Sequence, residues 1–514
     1  MRKAKTSGIL LHITSLPSDF GIGDLGKNAF EFVDFLSESG QSLWQILPTV
    51  PIGSGFSPYM SPSTFAGNPL LICPEKVLDM DLIRSEDLGD HSGNEQPFEN
   101  DRVDYRRVAT FKKNLLQKAF STFERDAGGE DRSRFEAWCV KENTWLDDYA
   151  LFETLKSVFP GRSWTSWSMD LVKRDKDALE RTRDEHALEY NRIRFEQFLF
   201  AQQWEALRSY ANSNGISLVG DLPIYVAQES ADVWSNRELF QLGHLGQPVV
   251  VAGVPPDYFS ETGQYWGNPI YDWEAVKQTG YDWWIRRLGC VLNLVDLVRL
   301  DHFRGFEAYW EVPASEDTAI NGRWVKGPGS DLFRALKTHF GTIPIIAENL
   351  GVMTEEVAAL MTEFDFPGMA ILQFALDGEM GREYLPRNLK EDLVAYTGTH
   401  DNDTFLGWWQ NRDEERDLLE MNQIRAFASM HLKLEGQPES EIPWKGIEAL
   451  MASDARTVIV PIQDVLGLPT HARMNTPGTS EGNWEWRLKR GQIQSEQIHR
   501  LRELTSTYGR NVTP

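Results

Sequence analysis

The chain has 514 residues, 41% of them hydrophobic and 25% charged, an ordinary globular balance over a length that suits one large domain with insertions or several smaller ones. Its 52 Lys and Arg face 76 Asp and Glu, and a net charge of −24 repels phosphate backbones and anionic lipid, which argues against a nucleic-acid or membrane role. The three cysteines, Cys73, Cys139 and Cys290, stand too far apart for a metal spacing or a disulfide framework, so a reducing compartment, the cytoplasm, is expected.

The first apolar run with strand character is residues 8–13. It is too short for a signal-peptide core and is interrupted by His12, and no later run approaches the ~20 apolar residues of a membrane span. GIGDLG, residues 21–26, matches the dinucleotide pattern G-x-G-x-x-G ahead of a helical pattern over 27–39. A dinucleotide site wants those glycines directly after the strand and an acid ~20 positions on. Here residues 15–20 intervene and the next strand, 42–47, ends without an acid, so the glycines are expected only to shape a loop.

From 47 to 216 the chain reads mostly as helix, with ATFKKNLLQKAFSTF and FEQFLFAQQWEALRSYA carrying apolar residues at three- and four-residue spacing. The second of these stops at Asn212-Ser213-Asn214-Gly215. Strand-like runs then recur at 216–220, 294–300, 343–347, 369–374, 394–397 and 457–462, with a helical pattern at 331–339. Near-continuous apolar strands alternating with helices point to a parallel sheet buried on both faces, and eight of them to an α/β fold, the (β/α)8 TIM barrel. Since such a core needs only ~250 residues, the remainder is assigned to insertions in a single domain, 1–514. These are a helical one at about 70–210, a loop-rich one at 225–282 bordering the site, and a mainly helical one at 403–451.

In such a barrel, chemistry sits at the C-terminal ends of the strands. Those ends deliver Asp221, Asp301, Glu348 and, in TGTHDNDT, His400 and Asp401. Taken singly, each acid reads more readily as a salt-bridged or helix-capping carboxylate; four on one rim ask for more. Side-chain parity puts Arg299 beside Asp301. A guanidinium favours the ionised form of a neighbouring carboxylate, which suits a nucleophile. Glu348 follows Ile345, Ile346 and Ala347, and apolar surroundings suit a carboxyl that must hold a proton. One carboxylate kept charged and one kept protonated is the pairing of glycosidic-bond chemistry, with Asp401 as a third member. His302 and His400 suit hydrogen bonding to sugar hydroxyls or simple packing. The stretch 249–269, rich in Gly, Pro and aromatics, reads as a long loop whose Tyr258, Phe259 and Trp266 either close over a glucan or pack on one another, and Tyr59 lies just past the second strand.

These segments, with SLPSDFGIGDLG, WQILP, SPYMSPSTFAGNPLLI, GDLPIYV, GVPPDYFSETGQYWGNP, VRLDHFRGF, AENLGVMTEEV and RMNTPGTSEGNWEWR, resemble the 4-α-glucanotransferase family, the amylomaltases or disproportionating enzymes of glycoside hydrolase family 77, in order from Ser15 to Arg487. The resemblance implies a barrel with helical insertions around its mouth and no C-terminal β-sandwich. It also implies a retaining transfer of α-1,4-glucan segments to the 4-hydroxyl of a glucan, maltooligosaccharide or glucose acceptor, without metal or cofactor. By motif match, Asp301 is the nucleophile, Glu348 the acid/base and Asp401 the transition-state stabiliser. Arg299, His302, Asp221 and His400 match the family's sugar-binding and nucleophile-supporting positions, and Tyr59, Asp257, Tyr258, Trp266 and Asn475 its glucan subsites. The chain departs from the pattern at Ser54, Phe56, Met60 and Asn349, which leaves the outer subsites and acceptor length open. An α-1,4-glucan hydrolase with the same carboxylates is the alternative, and a non-catalytic glucan-binding barrel a more distant one.

Overall fold

The computed structural model describes residues 4–89, 97–256, 260–351, 353–377, 379–410 and 418–510. Its central sheet has eight parallel strands: β1 (Thr6–Leu10), β2 (Leu43–Gln45), β3 (Ser217–Leu222), β4 (Leu297–Leu300), β5 (Ile345–Ala347), β6 (Gly368–Ile371), β7 (Leu393–Tyr396) and β8 (Thr457–Pro461). Hydrogen-bonded neighbours run in the order β6-β7-β8-β1-β2-β3-β4-β5. The remaining seam, between β5 and β6, is bridged by the Ala347 N–H donating to the Pro367 carbonyl at 2.9 Å and the Met369 N–H donating to Asn349 Oδ1 at 2.7 Å. The sheet is thereby wrapped into the expected (β/α)8 barrel.

All eight anticipated runs overlap a strand, with bounds that shift by a few residues; the run at 216–220 yields the longer Ser217–Leu222 and that at 394–397 becomes Leu393–Tyr396. The run at 8–13 yields a strand that ends at Leu10, because Ile13–Ser15 already forms a 3-10 turn. In NLVDLVRL the first apolar residues belong to the helix Asp282–Leu294, and β4 begins only at Leu297. Asp296 marks the change: its carboxylate accepts the Leu218 N–H at 2.8 Å and so fixes β4 against β3. The strands are buried on both faces, as in VIVP of β8, which explains their unbroken apolar character. The helix Lys27–Glu38 buries Ala29, Phe32, Val33, Phe35 and Leu36 at three- and four-residue spacing against the barrel.

The GIGDLG glycines answer to crowding. A Cβ on Gly23 would lie 1.9 Å from the Ile13 carbonyl oxygen, and one on Gly26 would lie 2.5 Å from Cys73 Sγ. Asp24 in the same loop accepts from the Gly26 N–H and the Ser18 hydroxyl and lies 3.9 Å from Lys112, a buried lysine of the helical insertion.

That insertion comprises the long helices Tyr105–Asp126, Gly129–Lys141, Leu146–Val158 and Ala187–Ser213, joined by packed rings such as the tilted pair Phe123–Phe195. The last helix stops where expected, with Gly215 at φ +76°. Most aromatics are core: Trp44, Trp164, Trp234, Trp283 and Trp284 are fully buried. One element was not anticipated. Over 249–269 the described residues form not an irregular loop but the two strands of a hairpin, Val250–Val254 with Gln264–Pro269, extended by Ala308–Pro313 and Arg323–Lys326 into a four-stranded antiparallel sheet. Its signal was masked because Gly253, Gly267 and Pro269 are poor strand formers, while its own core is small, built on Val251, Val312 and Ala319. Asp257, Tyr258 and Phe259 lie outside the described residues. Between 403 and 451 the chain forms Phe405–Gln410, Leu418–Leu432 and Ile442–Met451. No described helix is long and apolar enough to cross a membrane.

Candidate active site

Asp221 and Arg299 meet because β3 and β4 are parallel neighbours and these two residues are register partners. Arg299 Nη1 lies 2.9 and 2.8 Å from the two Asp221 oxygens. Its other terminal nitrogen, Nη2, lies 2.8 Å from Asp301 Oδ1, one residue beyond the end of β4. A single buried guanidinium therefore holds two carboxylates, and strand parity correctly places Arg299 and Asp301 on one side. Burial acts against the charge of Arg299, but Asp221 and then Asp301 outweigh it and keep the guanidinium firmly protonated.

Glu348 stands one residue beyond β5 and is buried, at 9% exposure. Its carboxyl accepts the backbone N–H groups of His302 at 2.8 Å and Leu350 at 2.7 Å. Burial pushes its pKa up to about 7; Arg299 opposes the rise and Asp301 adds to it. The N–H of His302 reaches Glu348 from a left-handed backbone, φ +49°. That conformation costs about 1–3 kcal/mol for a non-glycine residue and recurs where geometry serves a site. The His302 ring meets Trp266 edge to face, centroids 4.8 Å apart, and burial pushes its pKa down to about 4, leaving it neutral. Trp266 is delivered by the antiparallel sheet, so that sheet forms one wall of the mouth.

His400 and Asp401 follow β7 in a turn fixed by Asn402, whose Oδ1 accepts the Thr399 N–H at 2.8 Å. Asp401 Oδ1 accepts from Asn475 Nδ2 at 2.6 Å, and its backbone carbonyl accepts from Arg473 at 2.7 Å. Tyr59 joins the two halves: its hydroxyl donates to Asp221 Oδ2 at 2.9 Å and lies 2.9 Å from His400 Nε2, which is itself 3.3 Å from Asp401 Oδ2. A continuous polar chain thus runs Asp301–Arg299–Asp221–Tyr59–His400–Asp401. The structure brings together every described candidate; Asp257 and Tyr258 fall among the residues it does not describe. Among the described residues no group of three or more His, Cys, Asp and Glu is arranged to hold a metal.

Sequence reasoning missed Trp484 and Arg473. Trp484 holds φ +67°, a rare backbone for a bulky residue, with its N–H on the Met474 carbonyl and its own carbonyl accepting the Tyr105 hydroxyl at 2.8 Å. Its ring packs 5.7 Å from Tyr59 and 5.9 Å from His400. Both lie in RMNTPGTSEGNWEWR, a segment that carries the family resemblance, but nothing in its pattern assigned them a place at the site. The departures from the family pattern point outward or into the wall. Ser54 is exposed, Phe56 stacks on Tyr105 at 4.9 Å, the Met60 sulfur faces Asn268, and Asn349 turns into the β5–β6 seam.

Comparison with known proteins agrees with this geometry. A family model described as 4-alpha-glucanotransferase, glycoside hydrolase family 77, matches residues 11–494. A 4-alpha-glucanotransferase of Thermus thermophilus is 46% identical over 98% of this chain and 99% of its own. The chloroplastic/amyloplastic 4-alpha-glucanotransferase of Solanum tuberosum is 42% identical over 98% of this chain and 86% of its own. Among solved structures, the amylomaltase from Streptococcus agalactiae in complex with acarbose superposes with a TM-score of 0.92 at 36% identity, covering 99% of this chain and 100% of that one. The barrel, the rim of carboxylates and these likenesses together lead to one conclusion: the chain belongs to the 4-alpha-glucanotransferase family.

Proposed function

We propose that this protein moves a segment of an α-1,4-glucan from one chain to the 4-hydroxyl of another, or of glucose, by double displacement with retention. The observation that carries the reading is the contrast between two carboxyls at neighbouring strand ends. Asp301 is held on the Arg299 guanidinium, whereas Glu348 is buried and pushed up to about 7. Glu348 gives its proton to the glycosidic oxygen while Asp301 attacks the anomeric carbon, so the C–O bond to the departing chain breaks as an ester to Asp301 forms. Glu348, now ionised, takes the proton of the acceptor 4-hydroxyl, whose oxygen displaces Asp301. Asp401, held by Asn475, takes hydrogen bonds from hydroxyls of the sugar bound next to the cleaved bond. His302, His400, Tyr59, Asp221 and Trp266, with Asp257 and Tyr258, bind the sugars or support the nucleophile.

On this reading residues 1–514 work as one catalytic unit in the cytoplasm, with the insertions at about 70–210, 225–282 and 403–451 framing the mouth. The free thiols of Cys73, Cys139 and Cys290 suit a reducing compartment. Water and a sugar hydroxyl attack the same intermediate, so products separate transferase from hydrolase. With maltotriose alone, transfer yields glucose and longer oligosaccharides; mainly glucose and maltose would overturn the reading in favour of hydrolysis. Asp301→Asn is expected to abolish turnover while calorimetry still detects glucan binding, and retained activity in that variant would remove Asp301 from its role.

A further inference from the structure

Against His400 lies a cavity of about 30 Å3, lined also by His12, two residues past the end of β1, and by Asn402 and Gln463 among others. Both histidines are buried, each with 6% of its surface exposed. Hydrogen-bond direction dictates what each ring presents. His12 Nδ1 accepts the Leu47 backbone N–H at 3.2 Å, so in the neutral ring the hydrogen sits on Nε2. Burial, and then the nearby His400, push the His12 pKa down to about 3, so that ring is neutral. His400 is constrained from the opposite side. The single hydroxyl hydrogen of Tyr59 goes to Asp221, which leaves the Tyr59 oxygen to accept from His400 Nε2. Asp401 Oδ2, 3.3 Å from the same nitrogen, calls for a hydrogen there as well. His12 is thus left with a donor, Nε2–H, and His400, in the tautomer whose hydrogen sits on Nε2, with an acceptor, Nδ1. A cavity of this size admits a water that finds two to four polar partners, and Asn402 and Gln463 stand beside the two rings to supply the others.

We propose that His12 is a positioning residue: through a water held in this cavity its Nε2–H is relayed to Nδ1 of His400, which fixes the His400 ring in the Nε2–H tautomer and the Tyr59 hydroxyl on Asp221. Donation then runs one way, from the Leu47 amide through His12, water, His400 and Tyr59 to Asp221, the carboxylate that shares Arg299 with Asp301. The kinetic consequence rests on the proposed glucan chemistry; the tautomer is a property of the resting protein and stands apart from it.

The experiment is long-range 1H–15N correlation on protein labelled with 15N-histidine, with the His400 signals assigned by their loss in His400→Gln, paired with maltotriose kinetics. In the unaltered protein His400 is expected to show a bare Nδ1 and a protonated Nε2. In His12→Phe those shifts move toward the average of the two tautomers, and kcat falls about tenfold or more with KM unchanged. His12→Gln, whose amide can accept from Leu47 and donate to the water, restores both. A protonated Nδ1 on His400 in the unaltered protein overturns the proposal by itself, whether or not a variant folds. Unchanged His400 shifts in His12→Phe also overturn it. So does a loss of kcat that tracks the melting temperature equally in both His12 variants, which would reduce His12 to packing. Absence of glucan transfer with the tautomer intact would instead count against the functional reading alone.

Discussion

On the proposed mechanism, Glu348 trades stability for a usable proton. Its carboxyl is shifted to about 7 in the folded protein, from 4.5, by burial first of all. Below about pH 4.5 the folded and unfolded chains are both protonated at this position, and the shift costs nothing. As pH rises toward 7 the unfolded chain releases the proton while the folded one keeps it, so stability declines across that window and the whole penalty is present above it. Glu348→Gln removes the titration. We expect thermal melting to find this variant more stable than the parent near pH 8, with the difference gone near pH 4, while its transferase activity falls by roughly 10²–10⁴-fold. Equal melting curves for the two proteins at both pH values would mean that Glu348 is not held protonated by its surroundings.

At the scale of elements, the barrel depends on a seam that its own ladder does not close. Between β5 and β6 the work is shared by one backbone bond and by Asn349, whose buried amide accepts the Met369 N–H and packs so tightly on Gly368 that a Cβ there would lie 2.8 Å from Asn349 Nδ2. Asn349→Leu strips the Met369 amide of its partner and is expected to cost about 1–3 kcal/mol, read as a lower denaturation midpoint. Because Glu348 is the adjacent residue, kcat should fall with it. Unchanged stability and activity would show that the seam closes without this side chain. The antiparallel sheet has the opposite character: with a core of three small residues it depends on the barrel for its place, and it returns Trp266 to His302 at the mouth.

For the whole molecule, the net charge of −24 sets what the surface can attract. A neutral glucan feels little of this field, and the charges at the site are paired through the buried Arg299, Asp221 and His400, with only Asp301 and Asp401 at the ends of the chain partly exposed, so added salt screens them weakly. We therefore expect kcat/KM for maltotriose to change by less than about twofold as ionic strength rises from about 0.05 to 0.5 M. A steep decline would indicate that exposed charges take part in substrate capture.

Much of this protein was legible in one dimension. The eight strands could be read because a strand covered on both faces must be apolar throughout, and a short continuous apolar run survives any later packing. Asp301, Glu348 and Asp401 could be read because acids at strand ends fall on one rim, and Arg299 because parity is local. What stayed hidden depended on distant chain meeting distant chain. No spacing relates Tyr59 to Asp221 and His400, 162 and 341 residues away. Nor does any spacing place Trp484 against Tyr59 and His400, since its left-handed backbone is held by Met474 and Tyr105, or reveal the hairpin at Val250–Val254, whose glycines and prolines read as loop until Ala308–Pro313 pairs with it. His12 was visible only as an interruption in an apolar run. Local sequence determined the barrel and its acids, since apolar runs and parity are properties of neighbours. The tertiary structure alone decided which nitrogen, hydroxyl and carboxylate face one another, because hydrogen-bond direction is set by partners hundreds of residues apart.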